Sequence, residues 1–524
     1  MGKLLSAAFA IVAFLAISGS GAAQLDVKSS ESKRYVVVFN QHSSLPANAD
    51  KVVAKAGGTI VARLPEVGTV LAESTNPDFA AAAVRQPEIN DASEDLILQM
   101  IPAEGDAAPE DTGDRSSRPE PAGPDPQPMP DNLGYEQWDK MRMNATTTGS
   151  YAVQRGRKEV VVAVLDTGAE VLPTPHVDLA PNLDFARSRS FVTAAGAFLG
   201  AEGDPNPARW DDKNGHGTWC LSAVGGAINT VGISGVAPNV TLVALKVLGD
   251  TGRGSFFAVA AALVYSGQNK FDVASMSLGG FLRHADGGQA IVKVINRSVE
   301  FARQNGVLPV ASAGNSGFDL DDGSFFRDFV NYPVEAPGVV GVSSTGYFNQ
   351  KAFYSNYSLS KVEVAAPGGS TRNTSGVPGS GLQSGTQVAP YRGLGRVLGA
   401  YSSEGIGRIA PVDREEECDP VDGTPCSYYA WIQGTSMAAP NAAGVAALIV
   451  STYGDFTPDN SQKLHMAPTR VESILQQTAN NQPCPDFFTG GPGFGVANCQ
   501  GNAGENNFYG KGIVDALTAV TAGP

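Results

Sequence analysis

Charge is scarce in this chain, and positive charge is the scarcer sign. Only 17% of the 524 residues are charged, with 37 Lys and Arg against 52 Asp and Glu, for a net charge of −15. Nucleic-acid binding needs clustered positive charge, so that class of partner is excluded. Low charge with 61 glycines also argues against a coiled coil or a disordered chain, and suits a compact enzyme with many tight turns. No apolar run reaches the roughly 20 residues that span a bilayer, so no membrane anchor is expected. Histidine is rare as well: there are five, so one framed by a motif carries weight. What is plentiful is apolar bulk, at 42% of residues, enough for a large core.

The N-terminus reads as a signal peptide over residues 1–23. Lys3 precedes an apolar run from Leu4 to Ile17, and small residues follow from Gly19 to Ala23. Five cysteines fit an exported protein. Cys418 and Cys426 share one loop-like stretch, and Cys484 and Cys499 another. Closing each loop stabilises by roughly 2.5–3 kcal/mol in the chain-entropy model. Cys220 is left as a buried free thiol in an apolar stretch.

Residues 34–100 read as a small domain with a βαββαβ order, an α+β ferredoxin-like arrangement. Its strands are Arg34–Phe39, Thr59–Ala62 and Thr69–Ala72, with a helix over Asp78–Arg85 and a last segment ending near Met100. From residue 101 to 133 composition changes. Pro102–Pro130 holds eight prolines, and Pro102–Asp131 holds eight acids against Arg115 and Arg118. Such a stretch cannot bury enough apolar surface to offset chain entropy, so it is a linker. From residue 134 onward apolar strands alternate with helices, which predicts a three-layer α/β/α unit around a mainly parallel sheet. The expected strands are Glu159–Leu165, Val240–Val247, Asp272–Leu278, Val307–Ser312 and Val339–Ser343. The expected helices start at His216, Ser255 and Ala290. In such sheets ligands gather at the carboxyl ends of strands, where Asp166, Ser277-Leu278-Gly279 and Gly314-Asn315 fall.

Three motifs carry chemistry. Asp166-Thr167-Gly168 ends a strand, but Asp-Thr-Gly recurs at Asp111 and Asp250. An aspartic protease would need two such carboxylates in all-β lobes, which the α/β pattern denies. Asn214-Gly215-His216-Gly217-Thr218 frames a histidine at a helix start. Gly434-Thr435-Ser436-Met437-Ala438-Ala439-Pro440 opens the helix richest in small apolar residues, placing Ser436 near its positive end. Pro440 is expected in the first turn, where its missing N–H is harmless.

In the order Asp, His, Ser these motifs resemble the subtilisin-like serine proteases, or subtilases, over about Gln137–Val520. The resemblance implies Ser436 as nucleophile, His216 as general base and acid, and Asp166 as its orienting carboxylate. Ala311-Ser312-Ala313-Gly314-Asn315 resembles the oxyanion segment, with Asn315 as a donor. Ser277, Leu278, Gly279 and Gly280 resemble one substrate-binding wall, and Leu248, Gly252, Arg253 and Gly254 the opposing one. Ala313 and Gly314 complete a small, uncharged S1 pocket, implying large apolar or aromatic P1 residues. Phe256 and Val259 line an apolar S4 site, and Arg253 at the rim favours acidic residues. Asp178 and Asn229 match positions that bind a structural calcium in many subtilases; no cofactor is implied for catalysis. Asn441 stands where many relatives carry His.

The resemblance further implies polypeptide substrates, a secreted monomer with no membrane contact after signal removal, and a precursor. Residues 34–100 are then a propeptide inhibiting its own enzyme, and the linker is the site of maturation. Inserts near 369–429 and 482–506 depart from compact subtilases. A catalytically dead binding relative and a selective maturation protease are the competing readings, the first disfavoured by an intact triad. Asn-x-Ser/Thr sequons occur at Asn144, Asn239, Asn296, Asn356 and Asn373.

Overall fold

The computed structural model describes residues 32–100, 128–192, 206, 208–283, 288–323, 328–372, 395–418, 426–456, 464–486, 488–489 and 496–523. The expected signal peptide, most of the linker and Asn373 lie outside the described residues. Among the described residues no helix is long and apolar enough to cross a membrane.

The N-terminal unit runs β1 (Lys33–Phe39), α1 (Ala49–Lys55), β2 (Thr59–Leu64), β3 (Thr69–Ser74), α2 (Phe79–Val84) and β4 (Ile89–Glu94). Its antiparallel sheet has the order β2-β3-β1-β4. The unbroken run Tyr35-Val-Val-Val-Phe39 is buried on both faces, which explains why it does not alternate. Tyr35, Val37 and Phe39 join a core with Val52, Val53 and Phe79, while Val36 and Val38 pack on helices of the larger unit. A further strand, β5 (Ile97–Met100), leaves this sheet altogether.

The larger unit's strands follow as β6 (Val161–Asp166), β7 (Arg189–Ser190), β8 (Thr241–Lys246), β9 (Arg253–Ser255) and β10 (Val273–Met276). Then come β11 (Leu278–Arg283), β12 (Leu308–Ser312), β13 (Phe329–Tyr332), β14 (Val340–Thr345) and β15 (Val364–Pro367). Seven of them form a parallel sheet ordered β15-β14-β12-β10-β6-β8-β7. In β6, Val162 and Val164 share a core with the helices His216–Gly225 and Thr435–Tyr453. Val161, Ala163 and Leu165 face the helices Phe256–Gln268 and Gly288–Gln304. The alternation along one strand thus defines the three layers.

Two expected elements shift for local reasons. The helix expected from Ser255 starts at Phe256, because Ser255 is extended and its side chain accepts from the Ala258 N–H at 3.1 Å as an N-cap. The strand expected over Asp272–Leu278 breaks at Ser277, after which β11 leaves the parallel sheet to pair with β13 and β5.

The described part of the first insert adds β16 (Val397–Tyr401), β17 (Arg414–Glu417) and β18 (Ser427–Ile432), an antiparallel sheet laid over the His216 helix. There it buries Trp219 completely, and the Trp219 indole donates to the Ala430 carbonyl at 3.1 Å. Cys418 pairs with Cys426 and Cys484 with Cys499, leaving Cys220 free and buried. The second insert is pinned through Phe488, whose ring lies 4.5 Å from the buried Lys351 ammonium.

Candidate active site

Asp166 is the last residue of β6, and His216 the first of its helix. His216 Nδ1 lies 2.8 Å from Asp166 Oδ1, which also accepts the Thr167 N–H at 2.7 Å. Burial works against a charged imidazole, but the charge and hydrogen bond of Asp166, with Cys220 beside it, together outweigh it, and the His216 pKa is raised well above 6.5. His216 Nε2 is buried without a hydrogen-bond partner among the described residues. It is therefore the ring nitrogen available for proton transfer.

The His216 loop is braced from below by Asp212, a residue no motif had singled out. Its Oδ1 accepts the N–H groups of Asn214 and Gly215 at 2.9 Å, and its Oδ2 accepts the N–H and hydroxyl of Thr218. Burial raises the Asp212 pKa, yet the charge of Lys246 and these donors hold it below the usual carboxylate value. Gly215 is required here. Its φ is 102°, and a Cβ would come within 2.0 Å of the Tyr401 ring, which the first insert places against the loop.

Ser436 is the second residue of the Thr435–Tyr453 helix, which is buried almost throughout. One sulfur joins it to the base: Cys220 Sγ is 3.9 Å from His216 Nδ1 and 3.6 Å from the Ser436 carbonyl oxygen. The Ser436 hydroxyl points to the Ser277 carbonyl at 3.3 Å. Pro440 is the sixth residue of the helix, past the first turn, which corrects the expectation for it. An N–H there would bond to the Ser436 carbonyl. Because proline has none, that carbonyl accepts the Ser277 hydroxyl at 2.7 Å and the Cys220 thiol instead. Burial raises the Cys220 pKa, which keeps it a thiol donor.

Asn315 follows β12. Its Oδ1 accepts the Thr435 N–H at 2.9 Å and the Thr435 hydroxyl at 2.7 Å, which turns its amide nitrogen toward Gly434, two residues ahead of Ser436. An amide donor so fixed beside a serine hydroxyl can stabilise an oxyanion.

The two walls expected to hold substrate flank β5. Leu278 pairs with Met100 and Gly279 with Gln99 on one side; Gly254 pairs with Leu98 and Arg253 with Gln99 on the other. Leu98 is 1% exposed and lies, with Phe256, beside Gly280. Val259 belongs to the same core. Next to this wall, Gly252 closes a turn with Gly249, and Leu248 is buried and bridges to Gly254 of β9. Ala313 and Gly314 are buried behind Asn315.

Asp178 and Asn229 do come together, joined by a hydrogen bond of their own. Asn229 Nδ2 donates to Asp178 Oδ1 at 3.2 Å, and the Ile233 N–H donates to Asp178 Oδ2 at 3.1 Å. Asn229 Oδ1 is turned back onto the Val231 N–H at 2.9 Å. The nearby acids are engaged in the same way. Asp131 accepts the N–H groups of Asn229 and Thr230, and Glu417 that of Gly232. Oxygens already engaged by N–H donors count against these residues as the six to eight oxygen ligands that calcium takes. Burial raises the Asp178 pKa well above the carboxylate range. Among the described residues, the one close group of His, Cys and acidic side chains is Asp166, His216 and Cys220.

The subtilase family model matches residues 157–512. Subtilisin DY of Bacillus licheniformis is 27% identical over 360 residues, 69% of this chain and 90% of that protein. Subtilisin E of Bacillus subtilis (strain 168) is 27% identical over 500 residues, 95% of this chain and 93% of that protein. Among solved structures, the epidermin leader peptide processing serine protease of Staphylococcus aureus is similar with a TM-score of 0.65. It is 20% identical and covers 94% of this chain and 99% of that one. A catalytic unit of this build, matched over most of its length, belongs to the subtilase family of serine endopeptidases.

Proposed function

We propose that this protein is an exported endopeptidase made as a self-processing zymogen, with Ser436, His216, Asp166 and Asn315 as its catalytic residues. Ser436 Oγ attacks the substrate carbonyl while His216 Nε2 takes the hydroxyl proton. Asn315 Nδ2 stabilises the oxyanion that forms. The same proton passes to the leaving amine, and the acyl-enzyme on Ser436 is hydrolysed by a water activated by His216. The observation that carries this reading is the 2.8 Å contact of His216 Nδ1 with Asp166 Oδ1, which leaves Nε2 as the ring nitrogen without a hydrogen-bond partner among the described residues.

Latency is supported by β5. It fills the cleft as the central strand between β9 and β11, in the manner of an extended peptide added to a sheet. Residues 33–94 hold it there. Asp91 pairs with Lys293 at 2.8 Å, and Arg297 donates to the carbonyls of Phe39 and Val67. Substrate replaces β5 with an apolar residue where Leu98 sits, and the uncharged surroundings of Ser277, Ala313 and Gly314 take an apolar or aromatic P1 residue. Exposed Arg253 favours acid at the rim.

The maturation cut falls after Met100 and before Pro128. Asp131 is 4% exposed and Leu133 donates its N–H to the Gly232 carbonyl at 2.9 Å, so the chain from Pro128 onward belongs to the mature enzyme. The test is N-terminal sequencing of wild type and Ser436→Ala made in a protease-free host. Wild type alone should lose its first hundred or so residues. Equal trimming of both overturns self-processing, and a wild-type N-terminus beyond Asp131 overturns the proposed cut.

A further inference from the structure

We propose that Asn356 is a positioning residue for oxyanion stabilisation, acting through the backbone on either side of Asn315. Asn356 is fully buried on the loop after β14. Its backbone N–H donates to the Gly314 carbonyl at 2.8 Å. Its Oδ1 accepts the Ser316 N–H at 3.1 Å and the Phe318 N–H at 2.9 Å, and its Nδ2 donates to the Ala313 carbonyl at 2.9 Å. The residues immediately before and after Asn315 are thus both tied to one side chain and its own backbone.

The fit is close on the other side too. Gly314 has φ 104°, and a Cβ there would lie 2.4 Å from Asn356 Nδ2, so the glycine and the amide interlock. Neighbouring residues follow the same track: the Gly317 N–H reaches the Tyr354 carbonyl at 2.6 Å, and the Tyr357 N–H the Phe318 carbonyl at 2.9 Å. Asn315 Oδ1 is fixed by the Thr435 N–H and hydroxyl. Thr435 sets the rotation of the amide, and Asn356 sets where the backbone carrying it lies. Both are needed to aim a donor within the narrow range that an oxyanion requires. The acceptor and the donor of this one side chain serve two N–H groups and the Ala313 carbonyl, which also accepts from Asn331 Nδ2 at 3.0 Å. The sequon Asn356-Tyr357-Ser358 is thereby explained without a glycan, since the amide is buried and engaged.

The inference rests on Asn315 being the oxyanion donor, and the test separates the two. Steady-state kinetics on a peptide substrate are measured for Asn315→Ala, Asn356→Ala, Asn356→Asp and the Asn315→Ala/Asn356→Ala pair. Asn315→Ala should lower kcat by on the order of 10²–10³, the size seen for such a donor in subtilisin. If it does not, the oxyanion assignment fails, and the inference with it. Asn356→Ala should lower kcat by about 10- to 100-fold with KM unchanged, because β9 and β11 still hold the peptide. Asn356→Asp keeps both acceptor contacts and should lose less; it carries the same cycle if the alanine variant does not fold. In the Asn315→Ala background the Asn356 substitution should cost nothing further. A double mutant reduced by the product of the two single effects, or an Asn356 effect confined to KM, overturns the inference while leaving the Asn315 assignment standing.

Discussion

Replacing Ser277 by Ala should destabilise the protein through a carbonyl 159 residues away. Pro440 deprives the Ser436 carbonyl of its helical partner, and the Ser277 hydroxyl supplies the strong substitute at 2.7 Å. The remaining donor, the Cys220 thiol at 3.6 Å, is weak. Leaving a buried carbonyl so poorly served costs about 1–3 kcal/mol. At an unfolding entropy of about 2 cal/mol/K per residue over the catalytic unit, each kcal/mol is worth roughly 1.2 °C, so Tm should fall by about 1–4 °C. The assay is thermal unfolding of the Ser436→Ala precursor, which cannot digest itself and keeps the carbonyl intact. A second background decides the cause. Pro440→Ala restores an N–H aimed at the same oxygen, and there the Ser277→Ala cost should shrink below about 1 kcal/mol. An equal cost in both backgrounds refutes the reasoning.

Four further outcomes follow from the same geometry. Since the His216 pKa is raised and the base must be neutral to accept a proton, kcat/KM of the mature enzyme should rise with pH along a limb lying above 6.5. A limb at or below that value contradicts the coupling to Asp166, and Asp166→Asn should cost on the order of 10⁴ in kcat by releasing the wrong tautomer. Chelator should leave the Tm unchanged, because the oxygens of Asp178, Asp131 and Glu417 face N–H donors; a chelator-induced fall in calorimetry would restore a cation site. Leu98→Asp places a charge in an apolar site that cannot pair it, so β5 should bind less tightly. Labelling of Ser436 by an organophosphonate in the unprocessed chain should then quicken, and an unchanged rate means β5 does not shield the nucleophile.

Much of this was legible because it is local. A continuous apolar run bounded by an acid, as in Val161–Asp166, already implies a strand buried on both faces with a functional end. Glycine-framed His216 and Ser436 at helix starts needed only the motif. What stayed hidden depends on distant partners or on which atom faces where. Ile97–Met100 is too short and too ordinary to reveal that it lies between residues 253–255 and 278–279. Asn356 matched a glycosylation pattern, and nothing nearby in sequence says that its amide meets residues 313–318. Asp178 and Asn229 have the oxygens that calcium prefers, but composition does not say that Asn229 presents its nitrogen. Asp131 sits in a Pro-rich acidic stretch that reads as solvated, yet it is buried.

Asp131, Asp178 and Glu417 share one task. Asp131 ends the linker, Asp178 follows the first strand of the catalytic sheet, and Glu417 belongs to the insert. All three accept N–H groups from the single loop 229–233. That loop follows the His216 helix, and the insert strand β18, which pairs with β17 next to Glu417, runs directly into Gly434 and Ser436. The insert therefore spans the base and the nucleophile. It packs along the helix of one, leads into the helix of the other, and grips the loop between them with a carboxylate. The Cys418–Cys426 bridge closes this hairpin one residue beyond Glu417. Holding the loop by N–H donation to fixed carboxylates, with the hairpin closed covalently, makes its rigidity a property of the chain. It also ties that rigidity to Asp131, so a cut removing Asp131 would loosen the His216 side of the site that maturation is meant to release.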